Sequence, residues 1–327
     1  MREGRVVGEG WHTEYGKAHA EVEALRRAGE EARGATLYVS LEPCSHHGKT
    51  GPCTEAIRAA GIARVVYASA DPDPLAKGGG QVLREAGIEV RSGVEAELAA
   101  ALNGPFFRAH LPEAPPRPWT ELKLALSIDG KVADHQGRST WITGNESRAE
   151  VHRLRAGHDA IAVGIGTALA DDPSLTVRGT LQPRVPPIRV VFDRQARLPP
   201  TSRLARSAGE IPVWVVCGPE ASATARRELQ DAGVHILEAA SLPEALAELR
   251  SAGLRSLFCE GGGRIAYSLL REGLVDRLTL FIAPLLLGPE GLDPFQGLPS
   301  RPLAEAHRWR LVRSTSFGPD VLISVEP

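Results

Sequence analysis

His19, Cys44 and Cys53 are the residues with the clearest chemical capacity in this 327-residue sequence. One imidazole and two thiolates supply three zinc ligands. A zinc with three protein ligands keeps its fourth tetrahedral position for water, as catalytic sites do and closed structural sites do not. Zinc brings the pKa of such a water from about 16 down to about 7, so the set points to hydrolysis near neutral pH. Glu21 follows His19 by two positions and can collect the proton of the water, pass it to a ring nitrogen and then to a departing amine. A closed zinc knuckle would need a fourth protein ligand, and His46 or His47 would have to provide it.

A second constellation lies far along the chain. Glu260-Gly-Gly-Gly-Arg264 follows an apolar run and leads into a helical one. Closely approached backbone amides at such a turn, with a helix N-terminus behind them, can take a cofactor phosphate. The turn is not the G-x-G-x-x-G fingerprint of dinucleotide-binding folds, and a glycine turn needed only for connection would look the same. Lys123 interrupts the apolar run 120–126, where a lysine calls for a specific partner or function, and it is a candidate catalytic group. Cys217 and Cys259 end apolar runs and read as small buried residues.

These residues need elements to hold them. From residue 5 to about 108, strand patterns at 36–40, 64–68 and 88–91 alternate with helical ones at 19–29, 54–60 and 80–86, which makes a layered α/β domain. Arg2-Glu3-Gly4 reads as a hairpin turn leading into a strand over 5–8. The proline-dense segment 111–118 reads as a linker between a domain at 1–110 and a second at 119–327. In the second, strands are expected at 120–126, 160–163, 188–192, 213–216, 234–237 and 256–259, with helices at 146–156, 221–232, 242–251 and 265–271. The runs 278–287, 309–316 and 321–325 follow one another as strands without helices, so a mostly parallel sheet should finish in antiparallel strands.

Composition narrows the function classes. A formal net charge of −2 and the lack of a Lys/Arg block argue against a nucleic-acid partner. No run is long and apolar enough to span a membrane, and no signal-peptide core follows Met1, which places the chain in the cytoplasm. Four scattered cysteines are too few for a disulfide framework.

The loop Leu41-Glu-Pro-Cys-Ser-His-His-Gly-Lys-Thr-Gly-Pro-Cys53, with His19-Ala-Glu21, resembles that of bacterial riboflavin-biosynthesis deaminases. Zinc deaminases carry H-x-E followed by P-C-x-x-C; here eight residues separate Cys44 from Cys53. Downstream, Lys123-Leu-Ala-Leu-Ser-Ile-Asp-Gly-Lys131, Ser139-Thr-Trp-Ile-Thr143, Ala170-Asp-Asp-Pro-Ser-Leu-Thr-Val-Arg178 and Glu260-Gly-Gly-Gly263 resemble the reductase partner of that deaminase.

The resemblance implies a cytidine-deaminase-like three-layer α/β domain followed by one similar to dihydrofolate reductase, with Zn2+ and NADPH as cofactors. It implies a phosphorylated ribosylaminopyrimidine substrate, deaminated and then reduced from ribosyl to ribityl, and a homo-oligomer formed through the reductase domain. His46 and Lys49 match positions that contact the pyrimidine and its ribose phosphate. Ser139, Arg155, Leu175, Arg178 and Glu260 match substrate positions of the reductase, and the guanidinium forks of Arg155 and Arg178 suit a phosphate. Ala125, Trp141, Thr167, Asp171 and the turn Gly262, Gly263, Arg264, Ile265, Ala266, Tyr267 and Ser268 match the NADPH site.

Two departures accompany the resemblance. Asp71-Pro72-Asp73-Pro74 stands where the family has Asp-Pro-Asn-Pro. The family also has a helix, a strand and a Pro-Asn-Pro segment ahead of the first residues here, from which an incomplete core and an exposed sheet edge are expected. The alternative reading is therefore a reductase whose zinc-binding deaminase domain is inactive.

Overall fold

A computed structural model describes residues 1–14, 16–111, 113–179, 183–295, 297–300, 302–306 and 308–327. Two compact units divide the chain, Met1–Ala114 and Pro115–Pro327. Pro112, part of the proline-dense segment, lies outside the described residues.

The first unit is built on a parallel sheet in the order β1 (Thr36–Leu41), β2 (Arg64–Ser69), β3 (Glu89–Ser92). Parallel neighbours need crossover connections, and helices supply them: α2 (Cys53–Ala59) between β1 and β2, and α3 (Gly79–Glu85) between β2 and β3. Leu25 of α1 (Ala20–Ala28), Ile57 of α2 and Leu83 of α3 are buried with Leu37, Val65 and Tyr67 of the strands. Ile57 and Leu83 are wholly covered, and such burial contributes about 1.5–3 kcal/mol each. Two further helices, α4 (Ala96–Leu102) and α5 (Gly104–Ala109), close the unit, with α4 against β2.

The hairpin turn at the start is present, but the strand expected after it is not. Arg2 and Arg5 exchange two backbone hydrogen bonds of 2.9 Å around Glu3 and Gly4, both at positive φ. Residues 6–11 then leave the sheet and lie on α1. A Cβ on Gly8 would fall 2.5 Å from the Ala24 carbonyl oxygen, and one on Gly10 would fall 2.2 Å from that of Ala20. Glycines here serve close packing on an alanine face, which competes with strand pairing. The β1 edge is met at Thr36 by Met1, through backbone bonds of 2.6 and 2.8 Å.

The second unit holds a nine-stranded sheet in the order β11-β12-β10-β4-β9-β5-β6-β7-β8. In chain order the strands are β4 (Trp119–Ser127), β5 (Ala160–Gly164), β6 (Ile188–Phe192), β7 (Val213–Cys217), β8 (His235–Glu238), β9 (Ser256–Cys259), β10 (Arg277–Ala283), β11 (Arg310–Phe317) and β12 (Asp320–Glu326). β12 pairs antiparallel with both β10 and β11, while the other neighbouring strands pair parallel, so the expected finish of the sheet is found. The third strand from the end stops at Ala283 instead of 287, because Pro284 has no N–H for the ladder.

Helices α6 (Asn145–Ala156), α7 (Ile165–Asp171), α8 (Arg203–Arg206), α9 (Ala223–Asp231), α10 (Leu242–Ser251) and α11 (Gly263–Arg271) cover the strands. Side chains alternate across the sheet. On β5, Ala160 and Ala162 face a cluster with Leu246, Leu249 and Leu269 of α10 and α11, while Ile161 and Val163 face one with Ala168, Leu204 and Leu229 of α7, α8 and α9. On β4 the alternation has a functional result. Leu122, Leu124 and Leu126 are packed into the first of these clusters, which turns Glu121, Lys123 and Ala125 to the opposite face.

Candidate active sites

The zinc ligands of the first unit come together from three places in the sequence. His19 precedes α1, Cys44 follows β1 and Cys53 opens α2. His19 Nδ1 lies 3.3 Å from the Cys53 sulfur and 3.5 Å from that of Cys44, and all three donor atoms fall within 4.8 Å of one another. Donors about 2.0–2.3 Å from one tetrahedral ion stand at about this spacing, so the set fits zinc. The Cys53 backbone N–H donates to the Cys44 sulfur at 3.4 Å. Hydrogen bonds from the Cys53 side chain and this N–H, with the charge of His19, bring the Cys44 thiol down to about 5 against the effect of burial. Cys53, on the donor side of that bond, is pushed up. A ready thiolate is what a metal ligand requires.

Glu21, on the first turn of α1, is buried beside this set. Burial raises its pKa, partly opposed by its backbone hydrogen bond, a side-chain bond with Cys53 and the charge of His19. A carboxyl poised above its ordinary range can both take and return a proton near neutral pH. His12, which sequence reading did not single out, sets its ring edge-on to His19 with centroids 5.5 Å apart.

The cysteine loop is pinned from behind by Glu42, another residue the sequence did not mark. Its buried carboxylate accepts the Gly80 N–H at 2.9 Å and the Asp71 N–H at 3.3 Å. A Cβ on Gly79 would fall 1.8 Å from the Pro43 carbonyl oxygen, so α3 starts in direct contact with the residue before Cys44. His46 and Lys49 are exposed on the loop between the two cysteines. Asp73 accepts the Leu75 N–H at 2.9 Å, a bond that an asparagine would make equally well.

In the second unit, Lys123, Arg155 and Glu260 converge. Arg155 of α6 directs Nε and Nη2 to the two oxygens of Glu260 and Nη1 to the Thr176 carbonyl, the last at 2.9 Å. Burial alone would raise the Glu260 pKa, but Arg155, Lys123 and His152 outweigh it and keep the carboxylate ionised. Lys123 has its ammonium 5.6 Å from the centre of the Phe281 ring. Its pKa is lowered by burial, a shift opposed by Glu260 and reinforced by Arg155. Arg178 is exposed and donates Nε to the Thr176 hydroxyl at 3.3 Å. Leu175 has its side chain in the core at a positive φ of 48°, so only its backbone can face a ligand.

The glycine turn leaves β9 beside β5, where a parallel sheet opens a crevice at its carboxyl edge. The Gly262 N–H donates to the Thr167 hydroxyl of α7 at 3.1 Å, which brings two of the expected cofactor residues together. A Cβ on Gly261 would fall 1.8 Å from Ile265 Cγ2. Gly262, Gly263 and Arg264 stand at the start of α11, whereas Ala266 is fully buried and the Ser268 hydroxyl donates to the Arg264 carbonyl. Tyr267 lies beside Arg271, and Asp171 ends α7 with its pKa raised by burial. Ser139 and Trp141 are exposed ahead of α6, with Arg148 stacked 4.4 Å from the Trp141 ring centre. Asp320 of β12 fixes this segment by accepting the Gly144 N–H and the Ser147 hydroxyl at 2.7 and 2.6 Å.

An open His–Cys–Cys set backed by a buried carboxylate defines a zinc hydrolase, and the second unit adds a nucleotide-binding α/β domain with a Lys–Glu–Arg cluster. Comparison with known proteins agrees with both. Residues 1–69 match the cytidine and deoxycytidylate deaminase zinc-binding region, and residues 118–323 match the RibD C-terminal domain. A riboflavin biosynthesis protein RibD of Aquifex aeolicus is 42% identical over 99% of this chain and 89% of its own length. The RibD structure of Acinetobacter baumannii superposes with a TM-score of 0.79 at 38% identity, over 100% of this chain and 90% of that one. A Thermotoga maritima diaminohydroxyphosphoribosylaminopyrimidine deaminase/5-amino-6-(5-phosphoribosylamino)uracil reductase gives 0.79 at 33% identity over the same shares.

The chain belongs to the RibD family of riboflavin biosynthesis proteins. It is a bifunctional enzyme, a zinc-dependent deaminase followed by an NADPH-dependent reductase.

Proposed function

We propose that residues 1–110 remove an amino group from a diamino-ribosylaminopyrimidinone 5′-phosphate, and that residues 119–327, beyond the linker 111–118, reduce the ribosyl group of the product to ribityl. The observation that carries this reading is the buried Glu21 carboxyl beside three zinc-spaced donors, in one chain with Lys123, Glu260 and Arg155 gathered at a cofactor crevice.

In the first step His19, Cys44 and Cys53 would hold zinc, whose chemistry when bound is to make a water acidic enough to serve as nucleophile near neutral pH. Glu21 would take one proton from that water and deliver it to the ring nitrogen, then take the second from the hydroxyl added to the ring carbon and deliver it to the amine, so that ammonia departs as the carbonyl forms. His46 and Lys49 meet the pyrimidine and its phosphate from the exposed loop.

In the second step the ribosyl ring opens to leave its first carbon as an imine, and the hydride that reduces it would come from bound NADPH. Lys123, made more acidic by its surroundings, provides the proton for the nitrogen, and Glu260 orients the substrate and holds Arg155. Ser139 and the Leu175 backbone line the substrate, and Arg178 takes the phosphate. Ala125, Trp141, Thr167, Asp171 and the start of α11 line NADPH. The enzyme works in the cytoplasm on small molecules, without nucleic acid or membrane, and associates with itself through the reductase unit. No helix among the described residues is long and apolar enough to cross a membrane.

Separate assays test the pairing. Ammonia release without NADPH and NADPH oxidation on the deaminated substrate should both occur. Absence of the first with retention of the second would reduce the chain to its reductase.

A further inference from the structure

Arg155 spends its fork on Glu260, which leaves the placement of the exposed Arg178 as the open question in phosphate binding. Arg178 lies after α7 in the stretch 172–179, which forms no helix or strand, so its backbone position depends on what this stretch is tied to. Two ties come from one face of α6. Arg155 donates to the Thr176 carbonyl at 2.9 Å, and His152, three residues earlier and so on the same face, accepts the Arg178 backbone N–H on Nδ1 at 3.2 Å.

We propose that His152 is a positioning residue for substrate phosphate, fixing the backbone from which the Arg178 guanidinium reaches the ligand. The proposal rests on the reading that Arg178 meets the ribose phosphate. Only an imidazole with an unprotonated Nδ1 can accept this bond. The groups that act on His152 favour that form: burial, Arg155 and Arg178 lower its pKa, against the opposing effects of Glu260 and of a bond to the Thr176 carbonyl. The side chain therefore works as an acceptor and not as a third cation for the phosphate. A glutamine at this position keeps an acceptor; a leucine of similar bulk does not.

The test is steady-state reduction by the full chain with NADPH, using 5-amino-6-(5-phosphoribosylamino)uracil and its dephosphorylated counterpart. Native enzyme is compared with His152→Leu, His152→Gln and Arg178→Gln. Loss of one backbone tether should raise the KM of His152→Leu for the phosphorylated substrate by about tenfold, with kcat within about twofold. The KM for the dephosphorylated substrate should stay native, which also shows that the variant folds, and His152→Gln should restore the native KM for the phosphorylated one. If Arg178→Gln raises that KM while His152→Leu does not, His152 has no positioning role. Equal losses on both substrates in His152→Leu would likewise overturn the proposal, since the effect would then be one of folding. An unchanged KM in Arg178→Gln would instead overturn the underlying assignment of the phosphate.

Discussion

Glu260 and Arg155 meet side by side, each carboxylate oxygen taking one N–H of the guanidinium fork. One comes from the end of β9 and the other from the last turn of α6, so the pair fastens α6 to the middle of the sheet next to Lys123. Both side chains are mostly covered, at 12% and 14% exposure. Removing one partner strands the other, and Arg155→Met should cost about 3 kcal/mol of stability in the second unit. Denaturant melts combined with the two activity assays check this. Reduction should be lost while zinc content and ammonia release stay native, and a variant as stable as the parent would refute the clamp.

Glu121 makes acid stability measurable. Its carboxylate accepts the Thr279 hydroxyl at 2.6 Å and faces His158 Nε2 at 3.5 Å, almost wholly buried. Burial pushes its pKa up, but the neighbouring His158, the bond from Thr279 and the charge of Arg277 outweigh this and hold it below the ordinary 4.5. A folded value below the unfolded one means that the contribution is fully present above about 4.5 and fades as pH falls through the folded value. The stability gap between the native chain and Glu121→Gln should therefore be widest near neutral pH and shrink in acid. A gap that stays constant down to pH 3 would contradict the assignment.

The sequence was most legible where chemistry demands a fixed spacing. His19, Glu21, Cys44 and Cys53 could be read directly, because zinc accepts few ligand types and the proton carrier must sit beside one of them. Strand and helix periodicity likewise located the elements that carry Lys123, Arg155 and Glu260. The short helices α4, α5, α7 and α8, of four to seven residues, are not marked in the sequence. Leu175 and Ala266 turn their side chains inward, a detail set by a positive φ and by helix phase. Glu42, His152 and Asp320 act on the backbone of distant segments, and no local pattern marks such bonds.

Gly79 and Pro43 offer a test of how the zinc site is shaped. The Cβ of Gly79→Ala would fall 1.8 Å from a backbone oxygen, which no side-chain rotation relieves. Pro43 must move and carry Cys44 with it. Overpacking of this kind costs about 1–3 kcal/mol, and zinc should dissociate at lower chelator concentration. Native zinc retention would show that the cysteine loop is positioned by something else.

Thr167 holds the glycine turn through the Gly262 N–H. Thr167→Val keeps the shape and removes the acceptor, at a cost of about 1–1.5 kcal/mol, or roughly a tenfold rise in the KM for NADPH. The KM for the pyrimidine should not change. A rise in the pyrimidine KM alone would place the turn on the substrate side of the crevice.

Glu21→Gln tests the central claim most directly. Ammonia release from the diamino-ribosylaminopyrimidinone phosphate would be followed with the zinc-loaded chain in the absence of NADPH. The account predicts release by the native chain and a loss by a factor of about 10² to 10⁴ in the variant, with zinc content unchanged because Glu21 is not a ligand. Undiminished release from Glu21→Gln, or zinc lost in step with activity, would contradict it.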